Sequence, residues 1–271
     1  MKKSDIAKLL NNTVNIYSDF IQTGFLSEVT EDNNFEYFDK EPEKESKKIS
    51  EMATSIEERI YQDQSQSQNN DSTHISDDVV RKRTMIKLAS EIIKCNRCGL
   101  ISSNQKPVGG FGNPSAKIFV ISDFPSLNDE KNGFPLSDEV GDFFKKWISG
   151  IGIDFNELFV TTLIKCSLEG KSINSQKFID TINNCENYLV RQIEIVRPII
   201  IFALGETVLS ALFKKNLPMK ENHGKIFSYN YTPLIATYNP KEVLKDSELK
   251  KTVWGDLKVL KSFYDGKLKN G

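Results

Sequence analysis

Apolar and polar positions divide the chain into three stretches. In residues 4–27, Ile6, Leu9, Leu10, Val14, Ile16, Tyr17, Phe20, Ile21 and Phe25 fall largely on one stripe at helical spacing. Ser4 followed by Asp5 suits the start of such a helix. Residues 1–27 therefore read as a helical segment that either docks a protein partner or packs on its own domain. Residues 28–78 are different: EPEKESKKIS and QDQSQSQNNDSTHISDD are rich in charge and amide and poor in apolar side chains. Little apolar surface is available there to offset the entropy of ordering. This stretch reads as an acidic, low-complexity linker, with at most a short helix around Ile49–Tyr61.

From Val79 the pattern turns globular and continues to residue 271. A basic helix, RKRTMIKLASEIIK, leads into CNRC, and the loop PVGGFGNPSA precedes an apolar strand, KIFVIS. The helix EVGDFFKKWISGIG, the strand LFVTTLIK and a long helix near Gln176–Ile195 follow. PIIIFALG is a continuous apolar run, as expected of a strand buried on both faces, and it turns at Gly205 into the helix ETVLSALFKK. Two shorter strands, KIFSYNY and PLIATY, precede a last helix near Lys245–Phe263. Strands alternating with helices predict an α/β fold: a three-layer sandwich with a central, mostly parallel sheet flanked by helices. In such a fold the functional groups lie in loops beyond the strand C-termini.

Composition agrees with one such domain plus an extension. Of the 271 residues, 38% are hydrophobic, and no apolar run of about 18 residues predicts a membrane span. The opening MKKSDIAKLLNN is broken by Asp and Asn too early for a secretory signal, so a cytoplasmic protein is expected. Charge is unevenly placed. Residues 1–80 hold 8 Lys+Arg against 17 Asp+Glu, a net of −9; the remainder holds 28 against 20, a net of +8. An acidic tail on a basic body suits a polyanionic partner such as DNA. A solvated Lys-rich surface would give the same count.

All four cysteines lie in the globular part. Cys95 and Cys98 form a Cys-x2-Cys clip after a helix, Cys166 closes a predicted strand, and Cys185 sits in a helix. In a reducing compartment such a set points to metal or catalysis rather than disulfides. A close pair plus two distant thiols suits a [4Fe–4S] cluster or zinc, and unliganded core cysteines fit the spacing equally. No phosphate-binding or dinucleotide glycine fingerprint is present to support a zinc-stabilised nucleotide-binding protein.

Several motifs together resemble the family-4, iron–sulfur branch of the uracil-DNA glycosylases, over about Ile92 to Leu260. CNRC resembles the family's Cys-x2-Cys, and PVGGFGNPSAKIFVIS its glycine-rich segment and following strand. TTLIKCSLEG, CENYLVRQI and RPIIIFALG resemble its Lys-Cys strand, its Cys-x-x-Tyr-Leu helix and its Leu-Gly strand. The resemblance implies the glycosylase fold, DNA as partner, a monomer, and a [4Fe–4S] cluster on Cys95, Cys98, Cys166 and Cys185.

The active-site motifs depart from the family. SDFPSLNDEKNGFPLSDEVG keeps the spacing of its Gly-Glu-x-Pro-Gly and Gly-x-Pro-Phe motifs. Asp123 stands for the motif Glu, Ser122 and Ser126 for glycines, and Leu136 for the phenylalanine that stacks on uracil. Thr162 stands for the Asn that reads the uracil edge, and TYNP puts Asn239 where the family has His. Neither His74 nor His223 occupies that motif position.

Base excision asks for extrusion of the nucleotide, donors where negative charge develops on the departing base, and water positioned at the sugar. Asp123 is the candidate for the water, one methylene shorter than Glu, and an Asp at a strand end also caps turns. Asn239 is a donor candidate, although Asn-Pro is also a turn dipeptide. Thr162 offers one hydroxyl where Asn offers paired donor and acceptor, and Leu136 lacks a π-face. Phe134 alternates to the side opposite Leu136. Lys241 and Lys245, after the last motif, are candidate phosphate contacts, with Arg81–Arg83 and Lys145–Lys146 behind them. Two functions follow: a glycosylase acting on uracil or another deaminated base, or a catalytically impaired DNA-binding or adaptor protein on the same fold.

Overall fold

The structure, a computed structural model, describes residues 76–100, 106–171 and 175–270. The expected N-terminal helix, the short helix near Ile49–Tyr61 and nearly all of the acidic linker lie outside the described residues. The basic helix begins at Asp77, two residues before the expected start of the globular pattern: α1 spans Asp77–Ile93, with Asp77 and Asp78 in its first turn. Carboxylates there favour the helix by facing its positive end.

The sheet carries six strands in the order β1-β3-β2-β4-β6-β5. These are β1 (Phe111–Gly112), β2 (Ile118–Ser122), β3 (Leu158–Thr162), β4 (Ile200–Leu204), β5 (Ile226–Tyr229) and β6 (Thr232–Thr237). β3, β2, β4 and β6 run parallel, while β1 and β5 close the two edges antiparallel. The sequence shows why. Every residue of β2, β3 and β4 is buried, as helix-covered parallel strands require, whereas β5 is largely open along one side.

Strand alternation builds one core on each face. Phe119, Ile121, Phe159, Ile201 and Ala203 pack with α1 and with α4 (Ser175–Val196). Ile118, Val120, Val160, Phe202 and Ile235 pack on the other face, against α3 (Glu139–Gly150) and the C-terminal α8 (Leu249–Asn270). In α3 the stripe Val140, Phe144, Trp147 and Ile148 is the amphipathic face that the sequence pattern predicts. Each such large side chain contributes about 1.5–3 kcal/mol on burial.

Four short helices lie in the connections: α2 (Leu127–Asn132), α5 (Glu206–Phe213), α6 (Met219–Asn222) and α7 (Pro240–Lys245). Two boundaries differ from the sequence reading. β3 stops at Thr162, so Cys166 lies four residues past it. Beyond Thr162 the chain bends while Leu163 and Ile164 still donate to the Ser122 and Asp123 carbonyls. The last helix, expected near Lys245–Phe263, runs over Leu249–Asn270, and a separate short helix, Pro240–Lys245, precedes it. All four parallel strands end at one edge, where Asp123, Leu163, Gly205 and Tyr238 follow and where Thr162 closes β3.

Candidate active site and thiol cluster

Asp123 follows β2 directly, at the centre of that edge. The Ser122 hydroxyl donates to its Oδ1 at 3.1 Å. Ser122 is in register with Thr162 on the neighbouring strand, so the two side chains share a face about 4.8 Å apart. Thr162 is 1% exposed, and its Oγ1 is the one buried side-chain polar atom among the described residues with no hydrogen-bond partner. Buried hydroxyls are nearly always satisfied.

Asn239 caps α7. Its Oδ1 accepts the Lys241 amide N–H at 2.9 Å, and its Nδ2 faces the Leu204 carbonyl at 3.5 Å. It sits tightly over Gly205, whose φ of 99° and Cβ-free surface make the seat; a Cβ there would lie 3.2 Å from Asn239 Cβ. Lys241, two residues after the cap and expected on DNA phosphate, reaches back towards the strand edge. Lys241 Nζ lies 4.0 Å from Asp123 Oδ1 and 5.1 Å from the centre of the Phe124 ring. Lys245 is exposed.

Leu136 does not form a platform. It is buried in the core cluster with Val140 and Phe144, with φ at 55°. Its carbonyl presses on Gly141 of α3, where any Cβ would collide with it. Phe134 nearby is half-buried, its ring 5.1 Å from that of Phe111. Phe111 pairs with Val160, two residues before Thr162 and on its face. Of the other basic candidates, Arg81 is spent on Asp77 and the Val196 carbonyl, and Lys145 pairs with Asp142.

Several residues of this region gave no functional signal in the sequence. Asp129 closes a capping box with Ser126 and also holds Ser137, fixing the turn that carries Leu136; the Ser-x-x-Asp spacing is the legible trace. Lys165 is buried, its ammonium bonded to Thr161 Oγ1, the Thr162 carbonyl and Gln192 Oε1 at 2.6–2.8 Å. Burial pulls its pKa down to about 7. Gln192 in turn donates to the Gly109 carbonyl, so one polar knot fixes the end of β3 to α4 and to the glycine loop. His223 donates or accepts through Nδ1 at Asp256 Oδ1, 2.9 Å away, and Thr237 donates to Asp256 Oδ2 at 2.6 Å. Burial raises the Asp256 carboxyl, and these two hydrogen bonds oppose it.

The four thiols converge at the end of α1, the bend after β3 and the middle of α4. All are free. Burial pushes the Cys166 thiol up to about 12, with further upward pressure from Cys185 and Cys95. Cys185 is raised by burial and again by Cys98 and Cys95. Mutual influence of this kind requires proximity. Donors surround the sulfurs: Asn184 Nδ2 lies 3.6 Å from Cys98 Sγ, and the Lys165 backbone N–H bonds Cys185. Among the described residues no three His, Cys, Asp or Glu side chains form a single-ion site.

A model of the Uracil DNA glycosylase superfamily matches residues 110–258, more than half of the chain. This chain belongs to the uracil-DNA glycosylase superfamily. The match takes in the whole functional edge, from the glycine loop to α8. Among curated proteins, the type-4 uracil-DNA glycosylase of Saccharolobus solfataricus is 33% identical over 189 residues, covering 66% of this chain and 86% of the relative. The type-4 enzyme of Sulfurisphaera tokodaii is 30% identical over 187 residues (65% and 82%), and that of Archaeoglobus fulgidus 26% over 192 (68% and 90%). The expected superfamily and its α/β architecture are thus borne out. Among the described residues no helix is long and apolar enough to cross a membrane.

Proposed function

We propose that the chain is a DNA base-excision glycosylase that hydrolyses the N-glycosidic bond of uracil or another deaminated base. The observation that carries the reading is the gathering of Asp123, Thr162 and Asn239 at the C-terminal edge of the parallel sheet, where this architecture places its chemistry. The nucleotide is extruded from the duplex. Asp123 holds the attacking water at the sugar, Thr162 Oγ1 meets the base edge, and Asn239 Nδ2 is available to a base oxygen. Exposed Lys245 pairs with phosphate.

The thiols fit an iron–sulfur group. Four free cysteines, two of them buried, make an all-thiol donor set that releases its protons on binding a metal group. Cys95, Cys98, Cys166 and Cys185 would hold a [4Fe–4S] cluster, whose contribution there is to cross-link α1, the bend after β3 and α4. The chain's own residues carry the excision.

The test is a release assay on oligonucleotides containing uracil, hypoxanthine or xanthine, using brown, cluster-loaded protein. Release of at least one base is expected; release of none overturns the reading. Two observations favour the alternative, a DNA-binding or adaptor protein without turnover: Asn239 serves as a helix cap, and Leu136 is a buried aliphatic core residue with no ring to stack on a base. Turnover abolished by Asp123→Asn would exclude it.

A further inference from the structure

We propose that Lys241 is a catalytic residue: its ammonium faces the negative charge that develops on the departing base, the task left open by Asn239. The inference rests on the glycosylase reading and assigns a role within that site. Three observations carry it. First, Lys241 is not laid out on the surface as a phosphate contact would be. Its side chain is 29% exposed and reaches back to 4.0 Å from Asp123 Oδ1. Second, its stem and ammonium lie over the Phe124 ring, 5.1 Å from the centroid, so the charge is held in place over the loop that follows β2. Third, the neighbouring cap has at most one amide hydrogen to offer. Asn239 Oδ1 is spent on the Lys241 N–H, and its Nδ2 leans on the Leu204 carbonyl. A neutral amide also supplies no net charge to an anion.

The separation itself is informative. At 4.0 Å the lysine and aspartate attract each other but share no hydrogen bond, because N–H···O bonds close at about 2.7–3.2 Å. The ammonium donors aimed that way stay unspent until a substrate atom arrives. The chemistry then balances. The bond between C1′ and the base nitrogen breaks, and its electron pair stays with the base, beside Lys241. Water adds to C1′, and its proton passes to the Asp123 carboxylate and on to solvent. The base anion takes a proton from solvent as it leaves. A cation and a carboxylate side by side serve the two opposite charges of one transition state.

The experiment compares full-length, cluster-loaded wild type with Lys241→Met, which keeps the stem packing on Phe124, and with Lys241→Arg, which keeps the charge. Single-turnover rates at saturating DNA are read on uracil and on 5-fluorouracil, whose ring anion is intrinsically more stable and needs less help. Expected for Lys241→Met is a loss of about 100-fold on uracil, the usual scale for removing one charge-stabilising donor. The loss on 5-fluorouracil should be clearly smaller, Lys241→Arg should recover part of the rate, and the salt dependence of DNA binding should not change. An unchanged rate with weaker DNA binding and a salt slope smaller by about one would make Lys241 a phosphate contact and overturn the inference. Equal losses on the two bases would make its role structural and overturn it too. A wild type inert on both bases would overturn this inference, and one inert on hypoxanthine and xanthine as well would overturn the glycosylase reading with it.

Discussion

The thiol cluster and the base-facing edge lie close together in the fold, yet they have diverged to different degrees. The thiol region keeps all four sulfurs, and its supports are ordinary packing: Cys95 lies against the core under α1 and α4, and Cys185 packs with Ile164 and Leu168. The edge keeps its position and backbone but has changed its chemistry: an Asp, a Thr, an Asn and a Leu stand at the four places the resemblance marks. The contrast has a physical basis. A metal group of fixed size accepts only thiolates at fixed places, and losing one leaves the rest without a function. A base pocket is a sum of donors and surfaces, and one residue can take over from another. Lys241 beside Asp123, and the Phe111–Phe134 pair near Thr162, are the groups placed to take such a share.

The largest expected effect tests the first half of that contrast. Cys166→Ser should bleach the protein and cost about 4 kcal/mol or more of stability, since loss of a structural metal site is one of the few changes that reaches that size. Iron content together with chemical denaturation measures it. If Cys166→Ser keeps both colour and stability, the thiols are core cysteines, and the region retained them for packing alone.

Next in size is the carboxylate. Asp123→Asn should lower turnover by about 100- to 10,000-fold, the range for a positioned acid–base group. DNA affinity and the melting temperature should stay near wild type, because among the described residues the Asp123 carboxylate meets the Ser122 hydroxyl and, at longer range, Lys241, while its backbone bond to Ile164 is untouched. Unchanged turnover would reduce Asp123 to a turn residue.

The sequence carried the architecture well for stated reasons. The uninterrupted apolar runs at 118–121 and 199–204 could bury only in helix-covered parallel strands, and the α3 stripe at 140, 144, 147 and 148 was plain. It carried less about where elements end. LFVTTLIK reads as one strand, but Lys165 must turn its ammonium inward to Gln192, and that bend ends β3 at Thr162. The site was legible as positions and not as contacts. Thr162, Leu136 and Asn239 were identified by spacing, but nothing in the sequence said that Leu136 packs into the core or that Lys241 reaches Asp123. Those outcomes depend on backbone angles, such as the positive φ of Leu136, which a residue type other than Gly does not announce.

Thr162 gives a sharper test of the edge, because stability and function should move in opposite directions. Thr162→Val removes the orphan hydroxyl with almost no change of shape. A buried hydroxyl without a partner costs about 1–3 kcal/mol, so the variant should melt higher than wild type. The same change should weaken base release, because the hydroxyl is the group offered to the base. A higher melting point with full activity would mean that the base is read elsewhere, and the Phe111–Phe134 surface would be the first place to look.

The smallest effect separates the two roles assigned to Asn239. As a cap it accepts the Lys241 N–H through Oδ1; as a donor it offers Nδ2. Aspartate caps a helix as well as asparagine does, whereas alanine does not, and losing a cap costs about 1 kcal/mol. Asn239→Ala should therefore lower stability by about that much, and Asn239→Asp should leave it near wild type. The assay for turnover then decides. If Asn239→Asp melts normally and loses activity, the amide donor matters, and the edge has kept a working residue at the motif position. If Asn239→Asp keeps both, Asn239 only ends the turn and starts α7, and stabilisation of the departing base rests with the lysine that its cap positions. The second result would place the site's chemistry two residues along the chain from its motif, while the four thiols have not moved at all.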